Sequence, residues 1–220
     1  MTIEFYEHSE TKNPKYLVIF LHGYGANGEN LINLWHEFNY ALPDAHYISP
    51  NAIEPWEGGF PNSYQWFTLY KGVDRLGLVE AAHHIKNANK TLEKFIAEQL
   101  TRFNLGVEKL FLVGFSQGAM MAIYQGLIAS QKPAGIISFS GRLILPEMVG
   151  EKIISKPEIC LIHGEQDSVL PLENFIEAKK LLEIHKIEHE SHQIPHLDHS
   201  IDIHGIRLAQ QFVKKQIKKF

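Results

Sequence analysis

Strand-length apolar runs alternating with longer amphipathic stretches predict an α/β fold, a mainly parallel central sheet flanked by helices. Composition agrees: apolar residues make up 45% of the 220-residue chain and charged residues 21%, as in an ordinary globular protein. No repeat, low-complexity tract or linker divides the sequence, so a single domain over residues 1–220 is expected, long enough to bury a substantial core.

Leu17–Leu21 reads as a buried strand ending at His22-Gly23, Glu29–Tyr40 as a helix, and Ala45–Ser49 as a second strand. From Pro50 to Gly72 the composition shifts to Pro, Gly, Asn and aromatics, which marks a long loop. Loops of that length are uncommon in compact domains and often functional. Because this one carries Trp56, Phe60, Tyr64, Trp66 and Phe67, part of it is expected to wall a pocket. Val79–Phe103 is strongly helical, Lys109–Val113 is the next strand, and Gln117–Ala129 the helix after it. Gly135–Phe139 and Glu158–Ile162 read as strands, and Leu172–His185 and Ile203–Lys218 as helices on either side of a strand at Glu188–Ile194.

A net charge of −4 excludes a broad cationic field for nucleic acid or anionic membrane. The run Lys214, Lys215, Lys218 and Lys219 reads as cations complementing a helix C-terminus. Cys160 is the single cysteine, so no intrachain disulfide forms, consistent with a reducing compartment. The polar, acidic stretch Met1 to Pro14 lacks the pattern of a signal peptide, and apolar runs such as Tyr16–Leu21 are far short of a membrane span. The expected location is the cytoplasm, without stable membrane insertion.

Gly114-Phe115-Ser116-Gln117-Gly118 matches the G-x-S-x-G nucleophile elbow, and it stands where that motif requires, after a strand and before a helix. The turn exposes the serine Oγ, and the glycines let neighbouring backbone approach. This context predicts the α/β-hydrolase fold with Ser116 as nucleophile. The Gln117 amide then sits at a helix N-terminus, as one donor of an oxyanion hole. The loop His22-Gly23-Tyr24-Gly25, following an earlier strand, offers the Tyr24 amide as the second.

Chain order in this fold runs serine, acid, histidine. Cys160 to Asp167 is a strand, a glycine turn and an acid, which makes Asp167 the expected orienting carboxylate and Glu165 its rival. Six histidines crowd the C-terminal region: His185, His189, His192, His196, His199 and His204. The base must lie in the loop after the last strand, which selects His199, with His196 second. Asp198 is too close in sequence to orient its neighbour. His196-x-x-His199 has no placed third ligand, so neither a metal nor any other cofactor is expected.

Taken together, these segments resemble the phospholipase/carboxylesterase family, the small esterases that include the acyl-protein thioesterases. The likeness runs from His22-Gly23-Tyr24-Gly25, through the elbow and Ala119-Met120, to His163-Gly164, Asp167-x-Val169-x-Pro171 and His199. Pro50-Asn51-Ala52, Glu57-Gly58-Gly59 and Tyr64-Gln65-Trp66-Phe67 resemble the long loop of bacterial members, which ends at the acyl pocket. The resemblance implies a Ser116–His199–Asp167 triad, oxyanion donors at Tyr24 and Gln117, and a monomer or weak homodimer. Two stretches depart from it. His196 and Asp198 stand where members commonly have glycine, and Ala26-Asn27 where many carry an acid.

The expected activity is hydrolysis of carboxylic esters, extending to thioesters, through an acyl-enzyme, and it should fall as acid protonates the base. Lysophospholipase and protein thioesterase activities lie within the same chemistry, and a non-catalytic binding module is the reading from another class. A dienelactone-hydrolase-like enzyme would place cysteine at the nucleophile, whereas Cys160 falls mid-strand. Only Ser140 to Pro157 separate the strand after the elbow helix from the strand carrying the acid. No cap domain fits there, and an open site with apolar contacts from Trp66, Leu143 and Leu170 is expected.

Overall fold

The computed structural model describes residues 3–71 and 74–219, so Gly72 at the end of the long loop lies outside the described residues. Strand β1 spans Phe5–His8, β2 Tyr16–Leu21, and β3 Ala45–Pro50, with the short helices α1 (Gly28–Ile32) and α2 (Trp35–Asn39) between the last two. The long loop contains β4 (Glu54–Pro55) and β5 (Tyr64–Gln65), which pair antiparallel, and a second ribbon, β6 (Tyr70–Lys71) with β7 (Asp74–Arg75). Then follow α3 (Leu78–Phe103), β8 (Leu110–Phe115), α4 (Gln117–Ile128), β9 (Gly135–Phe139), β10 (Ile159–Gly164), α5 (Leu172–Ile184), β11 (His189–Ile194) and α6 (Ile203–Ile217).

The central sheet has seven strands in the order β1-β3-β2-β8-β9-β10-β11. All neighbours are parallel except β1, which runs antiparallel on the edge beside β3. Period-two alternation divides the side chains between two cores. Leu17, Ile19 and Leu21 face one layer with α3, α4 and α5, whereas Val18 and Phe20 face the other with α1, α2 and α6. Both faces of β2 are therefore dry, which is why its sequence is an unbroken apolar run rather than an alternating one.

The apolar stripe Ala81, Ile85, Ala88, Leu92, Phe95 and Ile96 repeats at helical spacing and buries one side of α3. Asn104, in the left-handed conformation at φ 53°, ends that helix. Helix α4 is buried almost all round, enclosed by the sheet and α3. Between β9 and β10 the only regular element is a single 3₁₀ turn at Pro146–Val149, and no cap intervenes among the described residues.

Two features depart from the sequence reading. The helix expected over residues 29–40 is α1 and α2, joined by a tighter turn in which Leu34 N–H reaches Leu31 O and His36 N–H reaches Asn33 O. Such i to i−3 bonds tighten the turn to about three residues, over too short a stretch to disturb the apolar pattern read from sequence. Strand β1 lies within the stretch read only as polar. It is tied down by Glu7, which accepts both Arg102 guanidinium nitrogens at 2.7 and 3.0 Å and His46 Nε2 at 2.8 Å. The Arg102 hydrogen bonds, outweighing burial and aided by His46, hold the Glu7 carboxyl below its ordinary pKa.

Among the described residues, no helix is long and apolar enough to cross a membrane. Of the C-terminal lysines, Lys215 reaches Glu190 at 2.6 Å and Lys219 pairs with Glu158.

Phe212 carries the packing of α6 onto the sheet: its ring is buried and leaves no room for a Cβ on Gly135 in β9, which would sit 2.7 Å away. Phe212→Ala should lower unfolding free energy by about 3–5 kcal/mol in urea titrations. A loss under about 1 kcal/mol would contradict this packing.

Candidate active site

Ser116 stands between β8 and α4 with φ 53° and ψ −117°, a conformation a residue bearing a Cβ adopts only when its surroundings impose it. Two close approaches impose it here. A Cβ on Gly118 would fall 2.0 Å from Leu21 O and 2.5 Å from His22 O, so α4 begins directly against the end of β2. A Cβ on Gly114 would meet the Ala119 backbone at 2.4 Å. The glycines of the pentapeptide are thus the contacts that fold the turn. Ser116 N–H donates to Phe139 O at 2.9 Å, continuing the pairing of β8 with β9 past the turn. The Ser116 hydroxyl makes no hydrogen bond among the described residues.

Asp167 is buried in the loop after β10. Its Oδ1 accepts the Val169 and Leu170 amides at 3.0 and 2.7 Å, and its Oδ2 accepts His199 Nδ1 at 2.8 Å. Burial by itself would raise this carboxyl, but the His199 ring and the two amides outweigh it and hold the pKa below the ordinary value. An ionised carboxylate only accepts, so His199 Nδ1 is the donor of this bond and Nε2 lies on the opposite side of the ring. The ring packs against Phe115, the residue preceding Ser116, at a centroid distance of 4.9 Å. The rivals fall outside this arrangement: Glu165 is exposed, and His196 is exposed at φ 61° with Nδ1 3.4 Å from Gln166 Nε2.

Asp198 holds the Asp167 and His199 loops together rather than contacting the ring. Its Oδ1 accepts Ser168 N–H and Ser168 Oγ–H, each at 2.8 Å, and His199 N–H at 2.7 Å. Backbone joins the same loops through Gln166 N–H to Leu197 O at 3.0 Å. Gly164 makes this possible, since a Cβ there would lie 2.3 Å from Leu197 O.

The loop after β2 brings Tyr24 to the same cavity as Ser116 and Gln117. Gln117, the first residue of α4, has no carbonyl one turn back in the helix to receive its amide. The side chain of Gln117 is buried and clamps the long loop: Oε1 accepts Trp66 N–H at 2.8 Å, and Nε2 donates to Phe67 O at 2.7 Å. Trp66 Nε1 donates to His22 O at 2.9 Å, and Tyr64 exchanges backbone hydrogen bonds with Gly25 and Ala26 at 2.9 and 2.8 Å. The Tyr24 hydroxyl donates to Glu57, and burial together with that carboxylate pushes the phenol up. Asn27, one of the departures from the family pattern, caps α1 by accepting Asn30 N–H at 3.0 Å.

The cavity beside Ser116 encloses about 770 Å³. Phe67, Leu69 and Tyr70 bring the long loop to it, as expected of part of that segment. Of the three apolar contacts expected from sequence, Leu170 lines the cavity. Trp66 and Leu143 are instead packed in the core, and the residues that line it there are their neighbours Phe67 and Arg142. Periodicity could not tell which of two adjacent side chains faces the cavity. Cys160 is buried mid-strand, where burial pushes its thiol up and keeps it protonated.

A strained serine between a parallel strand and a buried helix, with a coupled carboxylate and imidazole beyond later strands of the same sheet, defines an α/β-hydrolase. Comparison with known proteins narrows the class. The Phospholipase/Carboxylesterase family model matches residues 5–217, and the chain belongs to that family. Acyl-protein thioesterase 1 of Debaryomyces hansenii is 27% identical over 94% of each chain, and esterase YpfH of Escherichia coli is 26% identical over 98% of this chain and 89% of its own. The crystal structure of esterase PE8 superposes with a TM-score of 0.89 at 34% identity, covering 98% of this chain and 99% of that one. The protein is a carboxylic-ester hydrolase of the serine esterase type.

His22 supports the Tyr24 loop from within. It is buried, Nδ1–H donates to Gly23 O at 2.8 Å, and Nε2 accepts Ala52 N–H at 2.9 Å. Burial, only partly offset by the Gly23 carbonyl, pulls the ring from 6.5 to about 4. Between those values the unfolded chain binds a proton that the folded one refuses. The stability from this site is therefore complete above pH 6.5 and is lost as pH falls toward 4. Stability curves should show about 3 kcal/mol more loss across that window in the native protein than in His22→Gln. Equal slopes would remove His22 as the source.

Proposed function

We propose that the chain hydrolyses carboxylic esters and thioesters by acyl transfer through Ser116, with His199 as general base and Asp167 holding its ring. The 2.8 Å contact of His199 Nδ1 with the buried Asp167 carboxylate supports this most directly, because it leaves Nε2 free to take a proton. Ser116 Oγ attacks the acyl carbonyl carbon as its proton passes to His199 Nε2. The charge that develops on the carbonyl oxygen is met by the Tyr24 and Gln117 amides. As the tetrahedral centre collapses, His199 returns the proton to the departing alcohol or thiol, leaving an acyl-serine. Water then adds by the same path, and the acid is released with Ser116 restored.

The apolar lining around Ser116 and the absence of a cap between β9 and β10 among the described residues favour medium acyl chains or bulky leaving groups. Both ester and thioester chemistry are included because the named relatives span an esterase and a thioesterase.

A fluorophosphonate probe should label Ser116, and Ser116→Ala should abolish both labelling and turnover of aryl esters. Asp167→Asn, which no longer fixes the ring tautomer, should retain the fold and lower kcat by about 10³–10⁴. Labelling that persists without the serine hydroxyl would defeat the assignment.

A further inference from the structure

The cavity beside Ser116 is walled mostly by carbon, including Phe67, Leu76, Met120 and Leu170, yet two charged side chains join the lining, Glu80 and Arg142. Their situations differ. The Glu80 carboxylate accepts Gly77 N–H at 2.9 Å and so caps α3. Arg142 is half-buried, and among the described residues it makes no hydrogen bond, ion pair or ring contact. It is the only cationic side chain among the described residues of the lining.

Its position is built into the sheet. Phe139 O accepts Ser116 N–H at 2.9 Å, so the end of β9 lies beside the elbow. Ser140 then turns the chain at φ 47°. Gly141 is pressed onto α4, where a Cβ would sit 2.7 Å from Ala119 Cβ. Leu143 and Ile144 are buried immediately afterwards. The backbone of residue 142 is thus fixed on both sides, and its side chain shares the cavity with Ser116. A guanidinium presents donors in a planar fork that matches carboxylate or phosphate, and such charge-assisted pairs are about twice as strong as neutral ones. A partly desolvated guanidinium without a protein partner has its binding capacity left for a ligand.

We infer that Arg142 forms an anion-recognition subsite, and that the preferred substrates are esters or thioesters carrying a carboxylate or phosphate group within reach of the scissile carbonyl. The inference rests on the hydrolase reading above and gives it a substrate class.

Two matched pairs of substrates test it and separate the two sources of negative charge. The 4-nitrophenyl monoester of glutaric acid against 4-nitrophenyl butyrate places a carboxylate on the acyl side. Butyryl glycerol 3-phosphate against monobutyrin places a phosphate on the alcohol side. At least one anionic member should exceed its neutral partner in kcat/KM by about tenfold or more. Arg142→Leu should erase that ratio, and Arg142→Lys should retain part of it. Fluorophosphonate labelling of Ser116 in each variant verifies folding, and competition of free glutarate or inorganic phosphate with labelling of the native protein gives a readout independent of the variants. Equal rates within both pairs, a ratio unchanged in Arg142→Leu, or no competition by either anion would overturn the subsite. No turnover of any of the four substrates, together with no labelling of Ser116, would overturn the hydrolase reading and the subsite with it.

Discussion

The site depends on main chain meeting main chain at distances that leave no room for a side chain. At Gly118 the first turn of α4 abuts the carbonyls that end β2, and at Gly164 the end of β10 abuts those of Leu197 and Asp198. The first contact sets the elbow beside the loop that carries Tyr24. The second sets the carboxylate loop beside the imidazole loop. Side-chain hydrogen bonds then refine positions that the backbone has already brought together. Strand order supplies the rest, since β2, β8, β9, β10 and β11 lie side by side and release their loops at one edge of the sheet.

Two neighbouring acids divide the work of that edge by their surroundings. Asp167 is sealed from water, and its two amide donors and the imidazole keep it charged where burial alone would favour the neutral acid. Asp198 is exposed and binds backbone and hydroxyl donors from both loops. Only the carboxylate remote in sequence approaches the ring nitrogen. The adjacent one bonds the amide of the histidine itself, where its short tether directs it.

Much of this was legible from residue patterns. The elbow carries its own context of strand, glycine and helix, and the order of acid and histidine followed from it. The division of the helix at residues 29–40 was not legible because one tighter turn is too short to shift the hydrophobic spacing around it. Strand β1 escaped notice because an edge strand, half-exposed and held by the ion pair of Glu7 with Arg102, lacks the apolar run that marks β2. Within the aromatic loop, composition indicated a wall but not which face of it. Both Trp66 and Phe67 are buried; the Trp66 indole is bonded to His22 O, and Phe67 is the one that borders the cavity. Arg142 had no signal of its own, being one arginine in an unpatterned loop.

Gln117 joins two parts of the molecule that are far apart in the chain. Its main chain belongs to the elbow, while its carboxamide is bolted to Trp66 and Phe67 in the ring-rich segment that reaches the cavity. Exchanging that segment between relatives to retune preference is therefore not a modular operation. A transplanted loop must present one amide and one carbonyl at the same register, or it will drag the Ser116 turn out of alignment as it settles.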